Sequence, residues 1–336
     1  MIIRDILKYL YFLLFRILGV YSFLRYRNRD KAIVLTYHGV LPNIPSNGNQ
    51  FEYRNFVTTK QFEKQIRLLL KKYRPLNISD FTEAGGNLSG GFLITFDDGF
   101  YNNYKYAFPL LEKYGLHGCF FVTTNYIGKK EYIWTEQVTL LLQRTKKSKV
   151  QLHLEDKYVF ELNGFKKREV ASVTIRKYLK KAPPERIQDV LEQMKSQLTD
   201  VSLLIDQEDE ERYKFMTWKE AKEMSDSGQI IGSHTKSHFI VSTLSEAESW
   251  EELRGSKEAI EKNTGTQCIS ISFPNGEKED YSEIQKNQLQ RLGYKCAFTQ
   301  VPLFNNGNTD RLEIRRVNIT STLYMPVFEG KICGFI

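Results

Sequence analysis

The chain has 336 residues, 41% of them hydrophobic, and carries a formal net charge of +8. That composition excludes a disordered chain and leaves room for one large domain or two modest ones. Residues 1–31 alone hold a net +5, so the remainder is nearly balanced and a nucleic-acid-binding body is excluded.

The first predicted element is the apolar stretch "YLYFLLFRILGVYSFL", Tyr9 to Leu24, interrupted by Arg16. It is too short to cross a bilayer, which takes about 20 apolar residues. No small-residue cleavage site follows, so a removable signal peptide fits poorly. We expect residues 1–31 to form an amphipathic helix on a membrane surface, with Arg25, Arg27 and Arg29 near anionic head groups. The expected location is membrane-associated, or at a bacterial cell envelope. An N-terminal helix packed on the domain is the alternative.

From residue 32 onward, short β-rich runs alternate with helical segments. The strands expected are Ala32–His38, Gly91–Phe96, Gly118–Thr124, Gln229–His234, Cys268–Phe273, Lys295–Gln300 and Ile314–Ile319. Between them lie helical patterns at Lys60–Tyr73, Asn103–Tyr114, Lys219–Ser227, Ser245–Asn263 and Tyr281–Leu292. Near-continuous apolar strands alternating with helices imply a parallel sheet covered on both faces. About seven such units in one α/β domain, residues 32–336, point to a (β/α) barrel. Residues 129–214 break the alternation with an expected hairpin and charged helices, and read as an insertion or cap. The cysteines Cys119, Cys268, Cys296 and Cys333 are scattered without a C-x-x-C pair, so single buried thiols are expected.

The strand "LITFDDGF" ends in two adjacent carboxylates, Asp97 and Asp98, which repel each other and resist burial. Gly99 permits a sharp turn after them. After another apolar strand, "IIGSHTKSH" sets His234 and His238 four residues apart, a spacing that can aim two imidazoles at one ion. Two histidines and one carboxylate make the ligand set of a catalytic zinc site. One acid would then hold the cation and the other would accept a proton from water.

These residues resemble the polysaccharide deacetylases, the NodB-homology group of carbohydrate esterase family 4, and the branch with an early Tyr-His motif. Thr95-Phe96-Asp97-Asp98-Gly99 matches the family's first motif and His234-Thr235-Lys236-Ser237-His238 its second. The resemblance runs from about Ala32 to Ile319 and implies a distorted barrel. It implies Asp97 as general base, with Asp98, His234 and His238 holding a divalent ion, zinc in the first instance, with cobalt, manganese or nickel as alternatives. The implied reaction is hydrolysis of N-acetyl groups on a hexosamine polysaccharide or oligosaccharide.

The third motif departs from the family, because Ser272-Phe273-Pro274-Asn275 lacks its arginine and tyrosine. Arg316 is the candidate replacement for orienting the base, and the backbone amide of Asn275 the candidate oxyanion donor. The family's late histidine is also absent; His38, in "TYHGV", resembles the histidine of the branch with an early Tyr-His and is the candidate general acid. Trp134 and Trp218 are candidate sugar-stacking residues. Two other readings follow from the same residues: a non-catalytic glycan-binding subunit of an assembly complex, and an O-acetyl esterase.

Overall fold

The structure is a computed structural model that describes residues 3–44, 53–83, 86–205, 207–321 and 324–335. Met1 and Ile2 of the expected N-terminal helix lie outside the described residues. The chain opens with two helices, α1 (Ile3–Ile17) and α2 (Val20–Arg27), and then enters β1 (Ile33–Tyr37). A short parallel pair, β2 (Gly39–Leu41) and β3 (Phe56–Thr58), leads into α3 (Thr59–Lys72). The α3 start is a capping box, in which the Thr58 hydroxyl accepts from the Gln61 amide and the Gln61 side chain accepts from the Thr58 amide. Next come β4 (Arg74–Pro75), α4 (Ser79–Thr82), β5 (Gly91–Phe96), α5 (Phe108–Lys113) and β6 (Cys119–Val122).

The inserted segment holds α6 (Trp134–Arg144), the antiparallel hairpin β7 (Lys149–His153) and β8 (Lys157–Glu161), then α7 (Phe165–Leu179), α8 (Pro184–Gln197) and α9 (Gln207–Tyr213). The chain rejoins the alternating pattern with α10 (Trp218–Asp226), β9 (Ile230–Ser233), α11 (Glu246–Thr264), β10 (Ser270–Ser272), α12 (Glu283–Arg291) and β11 (Cys296–Phe298). It ends with β12 (Val317–Asn318) and α13 (Met325–Cys333).

Eight strands among the described residues form one sheet in the order β11-β10-β9-β6-β5-β1-β12, with β4 on the start of β5. All pairs in it are parallel. Every residue of β1, β5 and β6 is buried, as expected when helices cover one face and the curled sheet's interior fills the other. The Ile314–Asn318 segment touches both edges of that curl. Ile314 bridges Phe298 of β11, and Val317 pairs with Leu35 of β1. The seven strands and the (β/α) barrel read from the alternation are therefore present, in distorted form.

The insertion gathers its own apolar cluster, which includes Val138, Leu152, Ile175, Val190 and Met194. The N-terminal helices pack inward instead: Phe12 and Tyr21 are buried with the barrel's main cluster, beside Phe328 and Ile332 of α13. Glu329 of α13 forms an ion pair with Arg16 at 2.9 Å and accepts from Arg25 at 3.0 Å. Arg25 is thus engaged by protein, contrary to its expected place near lipid head groups, because a nearly buried carboxylate lies within its reach. All four cysteines are buried and free, as expected.

Candidate active site

Two acids arrive at the carboxyl end of β5 and are fixed by their neighbours. The Asp97 amide donates to the Tyr37 carbonyl at 2.9 Å, and the Asp98 carbonyl accepts from Thr123 at 3.2 Å. Asp98 adopts φ 76° and Gly99 φ 89°, the left-handed turn that glycine tolerates best. A Cβ on residue 99 would sit 3.0 Å from the Val122 side chain, so the turn also needs the missing methyl.

The loop after β9 brings the histidines. Its amides at Lys236 and Ser237 both donate to one Glu252 carboxylate oxygen, each at 2.8 Å, while the His238 amide donates to the Thr235 hydroxyl at 3.1 Å. Nε2 of His234 lies 3.6 Å from Oδ1 of Asp98, and Nε2 of His238 lies 3.3 Å from the same oxygen. One ligand atom from each of these three residues lies within 4.8 Å of the other two. Three residues chosen from two distant motifs therefore converge.

The donor set fits a divalent ion of the zinc class. His234 is nearly buried, and its Nδ1 lies 2.7 Å from the Ser272 carbonyl. Donation from Nδ1 leaves the Nε2 lone pair facing Asp98. Burial above all pushes His234 down to about 4, keeping it neutral and able to bind a cation. For Asp98, burial acts to raise its pKa. The hydrogen bond from His238 and the charge of His38 act the other way, and the balance lies below the usual value.

Asp97 is held apart from this set by a buried arginine. Burial favours its neutral form, but the Arg316 charge, His234 and the Arg316 hydrogen bonds outweigh it, so the carboxyl lies well below the usual range. Arg316 is fully buried and donates to both Asp97 oxygens at 2.8 Å. Its remaining donors are spent on the Ser272 hydroxyl at 2.6 Å, the Thr299 carbonyl at 2.8 Å and the Thr95 hydroxyl at 3.1 Å. Ser272 and Gln300 also donate to Asp97, each at 3.3 Å.

With this geometry in place, the comparisons are informative. The family model described as polysaccharide deacetylase matches residues 89–202 and 181–297, which is more than half of the chain. The chain belongs to the polysaccharide deacetylase family. The Bacillus subtilis protein YxkH, whose name is that of a polysaccharide deacetylase, is 31% identical over 139 residues. That match covers 40% of this chain and 45% of YxkH, so the chain aligns with under half of that relative. Among solved structures, the Streptococcus pyogenes deacetylase PplD superimposes with a TM-score of 0.56 at 16% identity, covering 90% of this chain and 98% of PplD. IcaB from Ammonifex degensii gives 0.54 at 17% identity, covering 91% of this chain and 97% of IcaB. At such identities the likeness is one of fold.

A cavity of about 240 Å³ is lined by Asp97, Asp98, His234 and His238, and also by His38, Trp134, Asn275, Gln300 and Asn318. Polar atoms of four of these lining side chains, Nδ1 of His38 and His238 and Oδ1 or Oε1 of Asn318 and Gln300, are buried without a protein hydrogen-bond partner. Buried polar atoms are rarely left so, and a water, an ion or a polar ligand in the cleft would satisfy these four.

Trp134 lines the cleft, but its Nε1 is committed to the His238 carbonyl at 3.0 Å, so it also braces the histidine loop. Trp218 does not reach the cleft. It is the first residue of α10, and its ring packs against the main core, which corrects its expected role in sugar stacking. Asn275 lines the cleft at φ 62°, with its side chain engaged to Asp280 and Lys180, so only its main chain is left for chemistry.

Apart from Trp134, sequence reasoning missed the insertion's contribution. Thr135 and Glu136 of α6, Arg176 of α7 and Lys180 just beyond it all line the cleft. Burial raises Glu136 and lowers Lys180, a sign that both sit in a poorly hydrated wall. No motif marks them, because their place depends on how the insertion folds back.

Proposed function

We propose that the protein is a metal-dependent hydrolase that removes N-acetyl groups from a hexosamine-containing polysaccharide. The observation that carries this reading is the convergence of Asp98, His234 and His238, with Asp97 beside them but pinned to Arg316. A divalent ion held by those three side chains would supply Lewis acidity toward an acetyl carbonyl and toward water. Zinc suits the two imidazoles and one carboxylate.

The chain's own residues have distinct tasks. Asp97, ionised by its ion pair, accepts a proton from the attacking water. Arg316 holds both carboxylate oxygens, so the orientation of the base is set before substrate arrives. The Asn275 main chain lies at the cleft wall, where an amide would oppose charge developing on the carbonyl oxygen. His38 ends β1 at the cleft and is the candidate proton donor to the departing amine. The buried, unpartnered atoms of Gln300 and Asn318 suit sugar hydroxyls.

The test is acetate release from an N-acetylglucosamine oligomer with added zinc or cobalt, comparing wild type with Asp97→Asn. Metal-dependent release that the substitution abolishes supports the reading. Equal release by both proteins refutes Asp97 as base. Tight oligomer binding without turnover under any metal would make the chain a glycan binder, and release only from O-acetylated glycans would make it an esterase.

A further inference from the structure

The N-terminal helices carry apolar residues on two faces, and the barrel uses one. On the inner face Phe12 and Tyr21 are buried, the Tyr21 hydroxyl donates to the Phe12 carbonyl at 2.9 Å, and Glu329 clasps Arg16 and Arg25. On the outer face Leu7, Leu10, Leu14, Ile17, Leu18 and Phe23 are 51–73% exposed. Leu7, Leu10, Leu14 and Ile17 recur at helical spacing along one side of α1, and exposed Leu18 and Phe23 follow at the bend and in α2. Exposed basic groups lie on and just after the same helices: Lys8 and Arg27 are exposed, and the Arg29 guanidinium lies 4.1 Å from the exposed Tyr26 ring.

We infer that this outer face seats the protein on an anionic lipid surface, as a platform locked to the barrel. Apolar side chains bordered by basic ones match the boundary between acyl chains and negative head groups. Crossing the bilayer is the other use of such a segment, and the structure argues against it. Among the described residues no single helix is long and apolar enough; α1 and α2 reach the length and composition of a span only together, and they meet at a 67° bend. Straightening them through a bilayer would strip Phe12 and Tyr21 from the core and leave Glu329 a buried acid without its arginines.

The platform also reaches toward the cleft. The Tyr9 ring packs edge-on against Tyr324, 6.1 Å between centroids. Nearby, the Ser321 amide donates to the carbonyl of Arg54, a cleft-lining residue. This inference does not depend on the chemistry proposed above.

The experiment is flotation of the full-length protein with vesicles of phosphatidylcholine alone or mixed with phosphatidylglycerol, at low and high salt. The expected result is flotation with the anionic vesicles, weakened by salt. Leu10→Glu combined with Leu14→Glu, both exposed and so harmless to the fold by thermal unfolding, should weaken binding at least about tenfold. Lys8→Glu with Arg27→Glu should remove the preference for anionic vesicles. No flotation with either vesicle would overturn the inference, as would resistance to alkaline carbonate extraction, the mark of a spanning segment. So would a lipid-free dimer abolished by Leu10→Glu with Leu14→Glu, which would assign the face to a second copy.

Discussion

Arg316 grips Asp97 through two hydrogen bonds of 2.8 Å, although the two residues stand 219 positions apart in the chain. In the family's third motif that task belongs to an arginine where this chain has Ser272. Ser272 still takes part, because its hydroxyl accepts from Arg316 and donates to Asp97. In this chain the cation that reaches Asp97 comes from Arg316, just before β12.

Replacing Arg316 with methionine should therefore damage both catalysis and stability. Leaving Asp97 buried and unpaired is expected to cost about 3–5 kcal/mol of folding stability. Arg316→Lys keeps a charge but loses the two-pronged grip, and should depress kcat more than KM. Thermal unfolding together with acetate-release kinetics measures both effects. Unchanged kcat in Arg316→Lys would contradict the orienting role.

Removal of the base should be separable from removal of the metal. Asp97→Asn is expected to lower kcat by roughly 10²- to 10⁴-fold. Its zinc content, read by atomic absorption after dialysis, should match that of wild type. His238→Ala should lose both zinc and activity.

Chelation should abolish turnover and lower the unfolding temperature, since metal binds the folded site and not the unfolded chain. Adding zinc back should restore both. An unfolding curve indifferent to chelator and zinc alike would speak against a site on Asp98, His234 and His238.

Lys180 tests whether the insertion shapes catalysis. It reaches from the end of α7 to the Asn275 side chain, which in turn donates to Asp280. Lys180→Met should loosen the Asn275 loop and cut kcat by about tenfold, with little change in unfolding temperature. Lys180→Arg should recover part of the loss. A purely structural strut would instead lower stability and spare kcat.

Asp209 predicts a pH response far from the cleft. Burial works to raise its pKa, but Arg144, the Tyr132 hydroxyl and Arg212 outweigh it and hold Asp209 below its ordinary 3.8. A depressed folded pKa stabilises fully above the unfolded value and is lost as pH falls through the folded one. Asp209→Asn should thus cost about 2–4 kcal/mol near neutral pH and progressively less toward acid, where wild type loses the same contribution. Denaturant unfolding of both proteins at several pH values reads this out.

Much of the barrel was legible because its strands are buried on both faces and read as continuous apolar runs, bounded by helical patterns of matching length. The Asp-Asp and His-x-x-x-His sets were legible because their spacing is local. Arg316 was named from "IRRVNI" as the candidate partner of the base, since strand alternation puts one of two adjacent arginines inside, but its reach to Asp97 depends on how the ends of the curl meet. Lys180, Glu136 and Arg176 were not legible, because nothing in a charged helix shows which turn will face a cleft. Trp218 was misread for a similar reason, since a tryptophan at a strand–helix junction can turn toward the core as readily as toward the rim. The docking of α1 and α2 on α13 depends on Glu329, more than 300 positions away from Arg25 and Arg16.

Asp98, Thr235, His238 and Asn275 are the non-glycine residues with positive φ among the described residues, at 60–76°, and all four belong to the two loops and the strand end that build the site. Each such conformation costs roughly 1 kcal/mol or more that the surrounding fold must absorb. Glycine at any of the four would relax the backbone while erasing a ligand, a loop tie or a wall. Glycine substitutions at these four positions should therefore trade function for thermal stability, since the strain is concentrated where the candidate site is built.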